Sequence, residues 1–125
     1  MIRKGKGYYK YPTYLNMATG VTGVLFPPNC CHKDIFNDTL FMKLTPTNDD
    51  IWFWAQACLK GTKTSVINDP IDLLQNIPGS QNVALGKINN FGPKLFWKQF
   101  NNILKHYPSL KQLLLKELKV IKDEL

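Results

Sequence analysis

The feature that most constrains this fold is a pair of adjacent carboxylates, Asp49 and Asp50, that opens directly into an aromatic run. Asn48 or Asp49 can cap a helix, and acidic residues in a first turn suit the positive end of the helix dipole. No glycine or proline follows before Gly61, which is a C-cap candidate. The segment therefore predicts a helix from Asp49 to about Lys60. Its predicted buried stripe consists of Ile51, Trp54, Ala55 and Cys58.

The size and charge of the chain bound its class and its partners. With 125 residues it can form one domain with a true core, and its 44% hydrophobic content is that of a globular protein. The formal charge of +7 suits anionic partners such as nucleic acid, acidic lipid headgroups or phosphorylated small molecules. No apolar run approaches the roughly 18 residues that a membrane span needs.

The composition divides the chain into two regions. Residues 1–14 are rich in lysine, glycine and tyrosine and predict a basic extended arm, whereas residues 15–125 predict a single domain. The basic N-terminus is not followed by an apolar segment, so no secretory signal is predicted. Three cysteines, two of them adjacent, cannot form a disulfide framework, which indicates a reducing compartment. The predicted location is the cytoplasm, with the inner face of the membrane as a peripheral docking surface.

Two short segments have the composition of strands. Residues 19–26 are β-branched and punctuated by glycine, which is typical of a strand or a strand-like loop, and residues 62–67 are typical of a strand. Between them, residues 32–37 predict a helical turn and residues 38–44 a further short segment. Residues 68–92 carry prolines, glycines and asparagines and predict a long irregular crossing with one helical turn near its end.

The last third of the chain has helical periodicity. After Pro93 one predicted face holds Phe96, Phe100, Ile103, Leu104 and Tyr107, with lysines off that face. Pro108 interrupts this run, and a second helix follows. Its apolar face is predicted to hold Leu110, Leu114, Leu118, Ile121 and Leu125. The total is two or three short strands with three to four helices, an incomplete α/β fold.

The run Cys30-Cys31-His32 invites a metal or thiol interpretation. Adjacent cysteines do not chelate a tetrahedral ion as a two-residue gap does, and a second ligand pair is missing. A Cys–His nucleophile would need an orienting partner, for which the sequence gives no signature. We therefore predict free, largely buried thiols and no metal ligands here.

An ordered set of motifs gives a resemblance to a known family. It comprises Thr-Gly-Val-Thr-Gly-Val-Leu-Phe-Pro-Pro at 19–28, Asp-Asp-Ile-Trp-Phe-Trp-Ala at 49–55 and Leu-Lys-Gly-Thr-Lys at 59–63. In this order, over residues 11–107, the chain resembles the acceptor-side, C-terminal half of bacterial family-two-like glycosyltransferases with the A-type nucleotide-sugar fold. The resemblance implies transfer of a sugar from a nucleotide-sugar donor to an acceptor hydroxyl in cell-surface polysaccharide synthesis.

The resemblance also implies roles for particular residues. Asp50 matches the second acid of the family's acidic pair, the general base that removes the proton of the acceptor hydroxyl, and Asp49 would orient the acceptor or the helix start. The acceptor pocket would be completed by four residues of the two motifs. These are Gly20 and Gly23, whose backbone would line it, and Trp52 and Trp54, of which either could form its floor. Core packing is the competing role for each tryptophan.

The chain departs from the family in one respect. A complete enzyme has a donor-binding half with an Asp-x-Asp pair for a divalent metal, and no two aspartates here lie two apart. The chain is therefore expected to bind no metal itself and to act with an N-terminal half-enzyme or as a homodimer. Its expected small-molecule partners are the nucleotide-sugar donor and a carbohydrate or lipid-linked acceptor.

A second hypothesis belongs to a different class. The chain could instead be a non-catalytic basic adaptor. It would dock on an acidic membrane surface or a protein partner through the lysine-bearing faces of its last two predicted helices. In that case Asp49 and Asp50 are only helix-capping residues. A third hypothesis, nucleic-acid binding through the basic arm and its tyrosines, ranks below these two, because neither a helix-turn-helix nor a ribonucleoprotein motif accompanies the basic residues.

Overall fold

The computed structural model describes residues 9–67, 75–91 and 94–124, and in these ranges four α-helices form the framework. They are α1 (Asp38–Leu44), α2 (Asp49–Lys60), α3 (Leu95–His106) and α4 (Pro108–Asp123). Short turns of 3₁₀ helix span Gly20–Thr22, Lys33–Phe36 and Ser80–Val83, and a π-helical turn spans Lys87–Phe91. None of the described helices has the length and apolarity to cross a membrane.

Helix α2 is the centre of the molecule. It packs against α3, against α4 and against the Lys33–Phe36 turn. The predicted stripe of Ile51, Trp54, Ala55 and Cys58 is confirmed, since each is at most 5% exposed. Trp52, Gln56 and Ala57 are buried as well. A helix buried around so much of its circumference gains most of its stability from tertiary packing.

The C-terminal helices form as their periodicity predicts. Ile103 on α3 and Leu110 and Ile121 on α4 are at most 4% exposed, and the predicted aromatic face of α3 packs around the same core. Pro108 does not merely interrupt the helical run: it occupies the first turn of α4, where its missing N–H would have no intrahelical partner in any case. The predicted core position Leu125 lies outside the described residues.

The predicted α/β class is wrong. Helix predominates in the described residues, strand character is confined to isolated bridges, and these ranges contain no sheet. The predicted strand at 62–67 is reduced to one antiparallel bridge, in which Thr13 and Thr64 exchange hydrogen bonds of 3.1 and 3.2 Å. Two or three strands in the manner of an A-type nucleotide-sugar fold are therefore not what these residues form.

The Asn16 side chain joins the N-terminal segment to this bridge. Asn16 is 2% exposed, and its amide donates to the carbonyls of Tyr9, Tyr11 and Thr64 while its carbonyl accepts from the N–H of Tyr9. The Thr64 carbonyl also accepts from the N–H of Thr13, so Asn16 reinforces the single bridge.

The glycine-rich segment turns instead of extending. The N–H of Gly23 donates to the carbonyl of Gly20 at 3.1 Å, which closes the 3₁₀ turn, and Gly23 leaves it with a φ of 94°. A positive φ of this kind is readily adopted only by glycine. The segment 19–26, predicted to be a strand or a strand-like loop, is therefore a compact turn followed by irregular chain.

Candidate functional site

The first turn of α2 is built by a side-chain cap. The side-chain oxygen of Asn48 accepts from the N–H of Ile51 at 3.2 Å, so Asn48 and not Asp49 is the N-cap. Asp49 and Asp50 therefore occupy the first two helical positions, where the helix dipole favours negative charge. Because consecutive helical residues are rotated by about 100°, the two carboxylates point to different surroundings.

Asp50 faces the glycine-rich turn. The N–H of Gly20 donates to Oδ1 of Asp50 at 2.9 Å, across 30 residues of sequence. A Cβ added at Gly20 would lie 3.5 Å from the same oxygen, so backbone and carboxylate are in direct contact. This bond holds the carboxylate through one of its two oxygens. Asp50 as a whole is half-buried.

The loop before α2 is fixed from the inside by a buried polar network, the Gln99 clamp, formed by Thr47, Asn89 and Gln99. Gln99 accepts from the N–H of Thr47 at 3.0 Å and donates to its hydroxyl at 2.9 Å. Asn89 accepts from the Thr47 hydroxyl at 2.7 Å and donates to its carbonyl at 2.8 Å. Thr47 precedes the N-cap residue, so the clamp fixes the position of the start of α2, which carries the two carboxylates.

Asn89 reaches this loop from the π-helical turn Lys87–Phe91. A π-helical turn widens the backbone and is found mostly as a single turn, frequently at functional sites. Asn89 is 6% exposed and Gln99 3%, and Nε2 of Gln99 also reaches Oδ1 of Asn89 at 3.2 Å. The clamp thus joins three separate parts of the chain with neutral groups only.

Asp49 faces an aromatic pocket beside the same helix end. The pocket has a volume of about 290 Å³ and is open to solvent on one side. Its lining includes the aromatic rings of Phe36, Phe41, Trp52 and Phe53 and the carboxylates of Asp38 and Asp49. The first turns of α1 and α2 thus bring two acids to one apolar cavity.

The two predicted tryptophans lie in different places. Trp52 lines the aromatic pocket, and its indole N–H donates to the carbonyl of Ile35 at 3.2 Å. Trp54 lies in the core, stacked on Phe100 with ring centroids 5.5 Å apart, and its N–H donates to the carbonyl of Tyr14 at 2.8 Å. Of the two, only Trp52 reaches the pocket. Its 2% exposure makes it a wall and not a projecting platform.

Gly23 does not share the contact that Gly20 makes. It is exposed, and no heavy atom of the described chain lies within 4 Å of where its Cβ would be. Its positive φ ends the turn that presents Gly20 to Asp50. Gly23 therefore shapes the turn, whereas Gly20 provides the contact.

A second cluster of polar side chains packs against the middle of α2. This Tyr107 cluster consists of His32, Asp34, Gln56 and Tyr107. The Tyr107 hydroxyl donates to Oδ2 of Asp34 at 2.8 Å, and Nε2 of Gln56 lies 3.5 Å from the same hydroxyl. Burial, opposed by the Gln56 hydrogen bond and reinforced by the Asp34 carboxylate, raises the pKa of Tyr107 to about 12. Oε1 of Gln56 has no partner among the described residues.

The cysteine run does not form a metal site. Sγ of Cys30 and Sγ of Cys31 lie 3.6 Å apart as free thiols, and burial raises the pKa of Cys31 to about 11. The His32 ring is turned toward Asp34, with Nδ1 at 3.6 Å from its carboxylate. No three histidine, cysteine or acidic side chains of the described ranges are grouped so that they could share a metal ion.

Sequence reasoning missed several residues of the aromatic pocket and of the Gln99 clamp. Phe36 and Phe41 stand at the positions before and after the N-cap Asn37 where a hydrophobic staple forms, a pattern that could have predicted one wall of the pocket. Asp38 follows that cap directly. The polar residues Asn89 and Gln99 have no such local signal, because their partner is a loop more than 40 residues away.

Comparison with protein-family models, with curated proteins and with solved structures finds no match for this chain.

Proposed function

We propose that this chain supplies the acceptor side of a sugar transfer from a nucleotide-sugar donor, in the synthesis of a cell-surface polysaccharide, with Asp50 as the general base. The observation that carries the proposal is the 2.9 Å hydrogen bond from the N–H of Gly20 to Oδ1 of Asp50. It joins the glycine-rich motif to the acidic motif, two of the three motifs on which the resemblance depends.

The geometry around Asp50 suits a base. One carboxylate oxygen is held by the backbone of Gly20, so the other has a defined direction in which to accept the proton of a sugar hydroxyl. The Gln99 clamp fixes the preceding loop, which limits movement of that oxygen relative to an acceptor. Asp49, turned toward the aromatic pocket, would contact the acceptor away from the reacting hydroxyl.

Donor binding is assigned to structure outside these 125 residues. The described acidic residues form no ligand set for the divalent metal of a complete enzyme, so no step is derived through a metal here. The proposed contribution of this chain is to bind the acceptor, orient its hydroxyl and accept its proton at Asp50.

The test is a sugar-transfer assay with the chain reconstituted with its donor-binding half. Asp50→Asn should lower kcat by roughly 10²–10⁴-fold, the usual contribution of a general base. Asp123→Asn, at the exposed end of α4, is the control, since it removes one carboxylate away from the site and should leave kcat unchanged. Equal activity of wild type and Asp50→Asn would reject the base assignment. Calorimetry with nucleotide sugar should show binding to the mixture and none to this chain alone.

A second candidate function is favoured by the surface of α4. Lys111, Lys119 and Lys122 are exposed at i, i+8 and i+11 and so lie on one side of the helix, together with the 58% exposed Leu115. A basic stripe with an apolar centre is suited to peripheral docking on an anionic membrane. In this proposal the chain is an adaptor and needs no base.

Vesicle sedimentation separates this candidate from the first. Binding to anionic vesicles that weakens with salt and is absent on zwitterionic vesicles would support the adaptor. Replacing Lys111, Lys119 and Lys122 with glutamine should reduce that binding. The control replaces three exposed lysines elsewhere, Lys33, Lys43 and Lys60, with the same loss of charge. An equal effect of the two triple variants would rule out docking through α4.

A further inference from the structure

The aromatic pocket exposes more apolar ring surface than the fold requires. Phe36 is 92% exposed and Phe53 38% exposed, and Phe26 lies against Phe53 with ring centroids 5.7 Å apart. Single exposed apolar residues are common, but two exposed phenylalanine rings lining one cavity, with a third ring against one of them, are typical of a binding surface. Their faces suit the C–H face of a flat, saturated ring.

The polar groups of the pocket are acceptors only. Asp38 and Asp49 contribute carboxylates, and among the described residues neither forms an ion pair with a cation. Oδ1 of Asp38 accepts from the N–H of Thr39, while Asp49 is exposed. Carboxylates need donors, so a ligand that fits here carries hydroxyl or ammonium groups.

The volume limits what can enter. At about 290 Å³ the pocket is at the small end of the range of roughly 300–1,000 Å³ for ligand sites. One ring-sized group fits this volume better than a whole nucleotide sugar. A ring with an apolar face and hydroxyl donors at its edge is a pyranose.

We propose that this pocket is a subsite for one uncharged pyranose of the acceptor and that Asp38 and Asp49 reject acidic sugars, an inference that rests on the proposed function. A sugar that carries its own carboxylate would bring a third negative charge between Asp38 and Asp49. Like charges that share one small cavity repel each other measurably even near solvent. Selection of the acceptor by charge is thus separate from proton removal by Asp50.

The test uses the full 125-residue chain and two ligands that differ in one group. Methyl β-D-glucopyranoside and methyl β-D-glucopyranosiduronate share a ring, and only the second is an anion. Titrations are followed by the indole N–H signal of Trp52 in a nitrogen-correlated NMR spectrum. The neutral glycoside should shift this signal, and the uronate should bind about tenfold more weakly at low salt. The indole signals of Trp54, in the core, and of the 62% exposed Trp97 should not move.

Variants test the cause of the discrimination. Asp38→Asn combined with Asp49→Asn should bring the two affinities within about threefold of each other, since the repulsion is removed. Phe36→Ala should weaken the neutral glycoside about tenfold without unfolding the chain, because its ring is almost fully exposed. Trp97→Ala, an exposed aromatic outside the pocket, is its control and should leave binding unchanged.

Three results would overturn the subsite. They are no response of Trp52 to the neutral glycoside, equal affinity for both ligands, and discrimination that persists in the double asparagine variant. These results leave the role of Asp50 untouched, because transfer assays measure it independently. Conversely, charge discrimination at Trp52 with full activity of Asp50→Asn would retain a sugar site and reject the proposed base.

Discussion

The start and the middle of α2 are attached to the rest of the molecule by different chemistry. The start is held by the Gln99 clamp, in which hydroxyl, amide and backbone groups are paired with one another and none titrates. The middle is held by the Tyr107 cluster, which contains a carboxylate, a phenol and an imidazole. In the first network Asn89 and Gln99 are buried and Thr47 is half-buried, whereas in the second only Gln56 is buried.

This difference has consequences for the candidate site. A neutral, satisfied network keeps its geometry as pH changes, because no member gains or loses a proton. An ionisable cluster changes its pairing when one member titrates. The carboxylates of the candidate site are thus carried by the end of α2 whose support is insensitive to pH.

The largest effect is expected from breaking the clamp. Gln99→Leu removes the acceptor for the Thr47 N–H, which is left unpaired, and the donor that Nε2 supplies to the Thr47 hydroxyl and to Oδ1 of Asn89. An unpaired group costs about 1–3 kcal/mol and each lost hydrogen bond about 1 kcal/mol, so the free energy of unfolding should fall by about 3 kcal/mol in urea titrations at pH 7. The control on the same helix is Asn102→Leu, which removes one hydrogen bond to the Leu44 carbonyl and should cost about 1 kcal/mol. Equal losses would show that the clamp contributes no more than an ordinary hydrogen bond.

A smaller effect is expected from the Tyr107 cluster. Tyr107→Phe removes the donor to Asp34 and the acceptor for Gln56; the half-buried Asp34 can turn toward water, whereas the fully buried Gln56 cannot. The expected loss is about 1 kcal/mol in the free energy of unfolding. Tyr14→Phe is the control, since its hydroxyl makes only an exposed 3.4 Å bond to the Gly61 carbonyl, and it should lose less than about 0.5 kcal/mol. A loss at Tyr107 no larger than at Tyr14 would contradict a structural role for the cluster.

The two regions should also differ at alkaline pH. Burial raises the pKa of Cys58 from 9.0 to about 12, and the pKa of Tyr107 rises from 10.0 to about 12. Between the unfolded-state and folded-state pKa values, these two groups keep their protons in the folded chain and lose them in the unfolded chain. Their contribution to the free energy of unfolding is therefore complete below about pH 9 and declines as the pH rises toward 12. Combining Tyr107→Phe with Cys58→Ala should flatten the decline in urea midpoints measured from pH 8 upward. Part of the slope should remain from Cys31, whose pKa burial raises to about 11.

The clamp supplies the internal control for this pH experiment. Gln99→Leu should lower the unfolding free energy by the same amount at every pH, because nothing that it removes titrates in this range. A decline that is steeper in Gln99→Leu than in wild type would mean that loosening the start of α2 also disturbs the titrating groups. The distinction between the two regions would then fail.

How much of the molecule the sequence predicts depends on whether the cause is local. The bounds of α2 and its buried stripe follow from the cap, the aromatic run and Gly61, whose αL conformation ends the helix as predicted. Periodicity likewise predicts the core faces of α3 and α4. In each case the residues that decide the structure lie within a few turns of one another.

The strand predictions failed because a strand depends on a partner that its own residues do not specify. The β-branched composition at 62–67 shows only that these residues would suit a sheet. Among the described residues a single bridge, between Thr13 and Thr64, is all the strand pairing that this segment finds. At the candidate site, the same limit applies to the Gln99 clamp and to the contact between Gly20 and Asp50, since both join residues at least 30 positions apart.

The smallest effect on stability is expected at the outer side of the start of α2, where Gly20 meets Asp50. Gly20→Ala keeps the donating N–H, and its methyl group would lie 3.5 Å from Oδ1, an ordinary contact, so the free energy of unfolding should change by less than about 0.5 kcal/mol. Gly23→Ala is the matched variant in the same turn. It meets open space but imposes a φ of 94° on alanine, which should cost about 1 kcal/mol. In the reconstituted transfer assay the order of the two variants should reverse. The added methyl group of Gly20→Ala contacts Oδ1 of the proposed base, so this variant should lower kcat more than Gly23→Ala does. If Gly23→Ala were the more damaging to transfer, the shape of the turn and not its contact with Asp50 would be what transfer requires.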